Sequence, residues 1–215
     1  MSGFTEYALQ YVFARCFNRI ILISLLIMKN VLFGNEMERM PVFVFRIMKI
    51  FFKVYYFFKP VDHYISEFGI KPGDTIIDYG CGPGDYIRSV SRLVGEEGLV
   101  YAVDIHELAI SSVEKLIRKY ELKNVRTVLT DNVSINIADN EADLIYAIDM
   151  FHMVKDTDSF LKGLCRITSA NGFLIIEDGH QPRSLSKEKI EHSGYWEILE
   201  EHKRFLKCRP SVKST

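Results

Sequence analysis

Three acids and two histidines, each following an apolar run, are the residues best placed to bind and transform a small molecule. Asp78 ends the run Thr75-Ile76-Ile77 and is followed by Tyr79 and the loop Gly80-Cys81-Gly82-Pro83-Gly84. Asp104 ends Val100-Tyr101-Ala102-Val103, twenty residues beyond Gly84, and Asp131 ends a β-like stretch that begins at Val125. His152 follows the run from Ala142 to Asp149, and His180 follows the run from Phe173 to Asp178. A glycine loop after a strand lets a nucleotide-like ligand approach the backbone, because glycine has no side chain in the way and tolerates unusual dihedrals. A carboxylate at the end of the next strand can accept hydrogen bonds from both hydroxyls of a ribose. An imidazole suits proton transfer near neutral pH. His152 is the first candidate base and His180 the second, with Asp149 or Tyr86 to position an acceptor or a cofactor. Plainer roles stand beside these: Asp104 as the N-cap of a helix starting near Glu107, Asp131-Asn132 as a turn dipeptide, and His152 as a packing or capping residue.

The glycine spacing narrows the ligand. A dinucleotide fingerprint, G-x-G-x-x-G, would need glycine at position 85, which is Asp85. The pattern Asp78-x-Gly80-x-Gly82-x-Gly84 resembles motif I of the class I S-adenosylmethionine-dependent methyltransferases. The resemblance runs in order from residue 71 to about 208. It implies that the loop wraps the methionine part of the cofactor, with Asp78, Gly80, Cys81, Gly82, Gly84 and Tyr86 around it. It further implies Asp104 and Ile105 at the ribose, Asp131 at the adenine amino group, Asn132 and Val133 beside the adenine ring, and Ile148 at the end of the fourth strand. His152 occupies the place of a histidine frequent in small-molecule members, followed within two residues by Val154. No Asn-Pro-Pro-Tyr or Asp-Pro-Pro-Tyr tetrapeptide, which would suggest amide or adenine-amine methylation, is present. The core is broadly similar to the ubiquinone/menaquinone-biosynthesis methyltransferases. An arsenite methyltransferase would need a cysteine cluster that Cys16, Cys81, Cys165 and Cys208 do not form by spacing. The resemblance therefore implies methyl transfer from S-adenosyl-L-methionine to a small, partly apolar acceptor, leaving S-adenosyl-L-homocysteine. Two other readings are a catalytically inactive methyltransferase-like binding protein and a nucleotide-dependent oxidoreductase, the latter disfavoured by Asp85.

The elements that must hold these residues alternate. Strand-like runs at 75–79, 99–103, 125–130, 143–148 and 172–178 are separated by helical patterns, among them Tyr86, Ile87, Val90, Leu93 and Val94 on one face. Such alternation predicts an α/β fold with an open, mostly parallel sheet and helices on both faces. Arg166-Ile167 ahead of Asn171-Gly172 predicts a helix, a glycine turn and the fifth strand. Ser184 or Ser186 is expected to cap a helix that ends near Gly194. Residues from Tyr195 to Glu201 and Phe205 to Cys208 read as a terminal hairpin. The family resemblance implies an antiparallel last strand, giving a Rossmann-like methyltransferase sheet with an N-terminal helical cap.

The domain reading is an apolar N-terminal extension over 1–36, a helical cap or lid over 37–70, and a cofactor-binding domain over 71–215. The apolar run from Ile20 to Met28 is nine residues, short of the roughly 20 needed to cross a bilayer. Glu6 and the lack of a convincing small-x-small site argue against a cleaved signal. In residues 42–58, Arg46, Lys49 and Lys53 fall within an arc of about 60° at helical spacing, opposite a broad apolar and aromatic surface. That pattern suits a cap over a hydrophobic substrate, a helix lying in the membrane interface, or a plain packing helix.

The 215 residues suffice for one sizeable core. A net charge of -1 gives no positive excess to draw the chain onto nucleic acid. Scattered cysteines fit reduced thiols in a cytoplasmic protein, with peripheral membrane contact through 42–58 as a variant, and no metal-ligand spacing is evident. The expected partner is a small-molecule methyl acceptor. Oligomeric state is not legible.

Overall fold

The computed structural model describes residues 42–47, 49, 61–131 and 135–211. The chain divides into two compact units, Met1–Lys59 and Pro60–Thr215. In the first unit residues 42–47 and 49 are helical. Val44 and Phe45 are buried, while Arg46 is exposed together with Val42, Phe43 and Ile47. The rest of the amphipathic pattern, including Lys53, lies outside the described residues, as do the extension over 1–36 and the run from Ile20 to Met28.

The second unit is one seven-stranded sheet with helices on both faces. In chain order it comprises α1 (Asp62–Ser66), β1 (Thr75–Tyr79), α2 (Ile87–Val94), β2 (Leu99–Asp104), α3 (Glu107–Tyr120), β3 (Val125–Leu129), β4 (Ala142–Ala147), α4 (Thr157–Ile167), β5 (Thr168–Glu177), α5 (Arg183–Ser193), β6 (Trp196–Glu201) and β7 (Phe205–Pro210), with a 3-10 turn at Phe151–Met153 after β4. The strand order is β3-β2-β1-β4-β5-β7-β6. β1 to β5 pair in parallel, and β7 runs antiparallel to both β5 and β6. The order reverses between β1 and β4, and such a switch opens a crevice at the carboxyl ends of the strands. Among the described residues no helix is long and apolar enough to cross a membrane.

Side chains alternate between the faces of the sheet. Ile77, Tyr79, Ile145, Ala147, Leu174 and Ile176 pack with Phe160, Leu161 and Leu164 of α4, Ile190 of α5 and Trp196. Ile76, Val100, Ala102, Leu144, Tyr146 and Ile175 pack with Tyr64 and Ile65 of α1, Phe68, Ile87 and Val90 of α2, and Val113 of α3. The expected apolar face of α2 is met by Ile87, Val90 and Val94, but Ser91 takes the buried place instead of Leu93, which is 36% exposed.

Two local expectations are corrected. No glycine turn separates α4 from the fifth strand: α4 ends at Ile167 and β5 begins at Thr168. The glycine sits in an excursion inside β5, where Ala142 pairs with Thr168 but Leu144 pairs with Phe173. A Cβ on Gly172 would lie 2.7 Å from the Ala142 carbonyl oxygen, so the close approach there needs glycine. Neither Ser184 nor Ser186 caps α5. Its N-cap is Pro182, and Ser186 is buried inside the helix, where its hydroxyl accepts a hydrogen bond from Gln181 Nε2 at 2.8 Å.

Candidate active site

The parallel register lines up the ends of β1 to β5, so every acid and histidine singled out above, apart from Asp78 inside β1, lies at or just beyond one edge of the sheet. The loop after β1 leans on the end of β2. Gly80 and Cys81 donate their backbone N–H groups to the Val103 carbonyl at 2.8 and 3.0 Å, and Gly82 N–H donates to Asp104 Oδ2 at 2.9 Å. The three loop glycines have different tasks. A Cβ on Gly80 would lie 2.9 Å from Met150 Cγ, and one on Gly84 would lie 2.7 Å from Leu116 of α3, so both permit close packing. Gly82, with φ of +51°, faces open space, which leaves its backbone approachable by a ligand.

Asp104 does more than wait for a ribose. Its Oδ2 holds Gly82 and its Oδ1 accepts from His106 N–H at 2.8 Å, so it fixes the glycine loop and the entry to α3 together. Each oxygen keeps a further lone pair for a ligand hydroxyl. Burial raises its pKa, and the N–H groups of Gly82 and His106 oppose that. The cap of α3 is His106, whose Nδ1 accepts from Leu108 N–H at 3.1 Å. The sequence reading missed this residue, because a histidine between Ile105 and Glu107 carries no capping signature.

Asp78 is the most unusual group. It is 3% exposed and is paired in register with Ala102 on one side and Tyr146 on the other. Desolvation pushes its carboxyl up to about 8; the Tyr146 hydroxyl pulls the other way, and Asp104 and Asp85 add to the rise. Despite that proximity, neither Asp78 Oδ2 nor the Tyr146 hydroxyl has a hydrogen-bond partner of good geometry among the described residues. A buried carboxylate oxygen without a partner is costly in isolation. It suits a cationic ligand group that is part of the working state.

Cys81 turns inward. It is 4% exposed, and burial first, then the charges of Asp78 and Asp104, keep the thiol protonated. Its backbone, not its sulfur, belongs to the loop surface. Tyr86 is half-buried at the start of α2 and stands edge-on to Tyr146 at 6.3 Å. Ile105 is half-buried beside Asp104, and Ile148 is half-buried at the end of β4. Asp131 is exposed at the end of β3, and Asn132 and Val133 lie outside the described residues.

The two histidines come together. The rings of His152 and His180 are 4.9 Å apart and nearly perpendicular, and His180 Nε2 lies 3.8 Å from Asp149 Oδ1. Gly179 permits this: a Cβ there would lie 2.1 Å from His152 Nδ1. Desolvation pushes Asp149 up to about 6, although 42% of its side chain still meets solvent, which tempers the effect. Beside the pair, Glu177 accepts from the Tyr64 hydroxyl and from Arg204, both at 3.4 Å, and the Arg204 guanidinium lies over the Tyr64 ring at 3.7 Å. The sequence reading missed Gly179 and Glu177. The only local signal was the dipeptide Gly179-His180 just past a strand end.

Residues 70–208 match a family model described as a methyltransferase domain. The chain belongs to the class I methyltransferase-domain family. Among its curated relatives is the ubiquinone/menaquinone biosynthesis C-methyltransferase of Teredinibacter turnerae, 31% identical over 122 residues, which cover 56% of this chain and 49% of the relative. Another is the demethylmenaquinone methyltransferase of Bacillus mycoides, 27% identical over 116 residues, 54% of this chain and 49% of the relative. The chain spans about half the length of the curated relatives it matches. In three dimensions the domain is similar to a SAM-dependent methyltransferase from Aquifex aeolicus, with a TM-score of 0.63, 25% identity, and coverage of 71% of this chain and 90% of that one. The methyltransferase domain therefore carries the expected Rossmann-like sheet. Its residues fit S-adenosylmethionine: Gly82 leaves room at the backbone, Asp104 keeps acceptor capacity for a ribose, and Asp78 Oδ2 offers a buried anionic partner to the cofactor's ammonium group.

Proposed function

We propose that this chain is an S-adenosylmethionine-dependent methyltransferase acting on a small, partly apolar acceptor of the quinone-precursor kind. The observation that carries the cofactor is the buried Asp78 Oδ2, without a hydrogen-bond partner among the described residues, in the strand that leads into the open backbone of Gly82 where the strand order reverses. The names of the curated relatives favour a quinone-type ring as acceptor. The bound cofactor supplies an electrophilic methyl group on a sulfonium. The chain's residues hold the cofactor through Asp78, Gly80, Gly82, Gly84 and Asp104, with Asp131, Asn132 and Val133 at its adenine end. At the carboxyl ends of β4 and β5, His152 takes the proton that a ring hydroxyl loses, and His180 with Asp149 positions it. A cap over 37–70 stays an expectation of this reading, since much of it lies outside the described residues; within the helix at 42–47, Val44 and Phe45 are buried and Arg46 is exposed together with Val42, Phe43 and Ile47.

Titration calorimetry with S-adenosylmethionine and with NAD tests the cofactor. Binding of the first alone is expected; tighter binding of NAD, or none of either by folded protein, overturns the proposal. Labelled methyl transfer to a demethylated naphthoquinol tests the acceptor, and the absence of transfer by cofactor-binding protein removes that part. His152→Ala should lower turnover by about 100-fold or more with cofactor affinity nearly unchanged.

A further inference from the structure

Asp149, His152 and His180 each present one ligand atom, and the three atoms all lie within 4.8 Å of one another. They come from two connections: the one after β4, which holds Asp149 and the 3-10 turn with His152, and the one after β5. Nothing in their sequence spacing resembles a metal motif. We propose that these three side chains form a binding site for a divalent transition-metal ion, with coordination positions left open for water or for an oxygen of the acceptor.

The ligand set selects the ion. Two imidazoles and one carboxylate suit zinc, iron(II), cobalt(II) or manganese(II), whereas magnesium and calcium prefer oxygen-only shells. Ligand atoms about 2.1 Å from one ion in tetrahedral geometry stand roughly 3.4 Å apart. His180 Nε2 and Asp149 Oδ1 are 3.8 Å apart, so side-chain adjustments of about 1 Å close the site around an ion. The backbone is already committed to the arrangement. Asp149 holds a φ of +53°, a conformation that costs a non-glycine residue energy. Gly179, with φ of +64°, gives His152 the space that any side chain would fill. Both features bear on the same three residues.

Charge and access agree. The charge of Asp149 reaches Glu177, so two carboxyl groups share this corner. The neighbouring guanidiniums are engaged elsewhere: Arg183 pairs with Asp178 at 2.6 Å and Arg204 with Glu177 at 3.4 Å. The His180 and Asp149 side chains are 33% and 42% exposed, so an ion can enter. Three protein ligands with open positions are the pattern of catalytic rather than structural metal sites. An ion there would take the ligating nitrogens out of service as bases and lower the pKa of a bound water or hydroxyl instead. That last step rests on the methyltransferase reading. The binding site itself does not.

The test uses the full chain, stripped with a chelator and dialysed. Titration with zinc chloride should show one equivalent bound at micromolar affinity or tighter, and cobalt(II) should give the intense visible bands of a low-symmetry nitrogen–oxygen site. His152→Ala, His180→Ala and Asp149→Asn should each weaken binding on the order of 100-fold, at least as much as losing an outer-shell partner. His63→Ala, at an exposed histidine outside the cluster, should not. Circular dichroism on each variant shows that it is folded. Should one histidine variant unfold, Asp149→Asn alone still decides, because it keeps the shape of the side chain. The absence of stoichiometric binding, or binding that is indifferent to all three substitutions, overturns the site. Metal is read here without cofactor or acceptor. A failed metal titration with intact S-adenosylmethionine binding leaves the methyltransferase reading standing, and the converse result leaves the metal site standing.

Discussion

The protonation of Asp78 gives the sharpest expectation, because one buried carboxyl is asked to do two opposed things. In the ligand-free protein its pKa is pushed up to about 8, against 3.8 for an ordinary aspartate, chiefly by desolvation. The folded state therefore keeps a proton that the unfolded chain releases above pH 4. Between about pH 4 and pH 8 the folded state binds more protons than the unfolded state, so this group's contribution to stability falls as pH rises and levels off above the folded pKa. The slope for one group is at most about 1.4 kcal/mol per pH unit, or roughly 4 kcal/mol between pH 5 and pH 8. Asp78→Asn replaces the carboxyl with a neutral group of the same shape and should abolish that slope. Urea melts of both proteins at pH 5, 6, 7 and 8 measure it. The variant should be comparable to the parent at pH 5 and progressively more stable relative to it toward pH 8. A difference between the two proteins that does not change with pH would refute the assignment.

Ligand binding reverses the demand on the same carboxyl. A cationic ammonium beside Asp78 favours the ionised form, so cofactor binding at pH 7 should expel the proton that about nine-tenths of the molecules carry when the pKa is 8. Calorimetry in two buffers of different ionisation heat counts that proton. Asp78→Asn should release none and should bind more weakly. Uptake of a proton, or none released by the parent protein, would show that Asp78 does not face the cofactor's cationic end.

Three further substitutions probe the surrounding framework. Asp104→Ala removes the acceptor of both Gly82 N–H and His106 N–H; denaturant melts should show a loss of about 1.5–3 kcal/mol, with cofactor affinity falling as well. Gly179→Ala forces a side chain into a left-handed backbone and against the His152 ring; it should cost about 1–3 kcal/mol in stability and lower turnover per folded molecule, read by melts and methyl-transfer assay on one preparation. Trp196→Phe leaves the buried Leu161 carbonyl without the indole donor now 2.9 Å away; a loss of about 1–3 kcal/mol in denaturant melts should leave cofactor affinity unchanged.

What was legible in the sequence and what was not divides along one physical line. The unit β1–loop–α2–β2 is written in contiguous residues: alternating apolar positions from Thr75, glycines where the backbone must turn and approach, and an acid at the next strand end. Each signal acts over a few residues, whereas the strand order β3-β2-β1-β4-β5-β7-β6 is set by long-range pairing that no local signal encodes. Gly172 and Ser186 fail for the opposite reason. Read locally, a glycine after Asn171 is a turn and a serine after Pro182 is a cap. The excursion that keeps Gly172 inside β5 depends on how Ala142 and Leu144 of another strand pair with it. The burial of Ser186 depends on a glutamine that reaches across the start of α5.

The chemistry at the acceptor side is of this second kind. His152 and His180 were each visible as single histidines near strand ends, but their meeting depends on the register of β4 against β5 and on Gly179, whose lack of a side chain makes room for a ring 27 residues earlier in the chain. Asp149 adds a left-handed backbone, uncommon for any residue but glycine although aspartate tolerates it better than most. A glycine and a left-handed aspartate both converge on one pair of imidazoles. They cost folding energy at the edge where the acceptor must be held. The cofactor half of the site can therefore be read from a motif, whereas the acceptor half has to be read from tertiary contacts. That is why the metal titration of Asp149, His152 and His180, rather than more sequence comparison, discriminates between an imidazole base and a metal-bound acceptor.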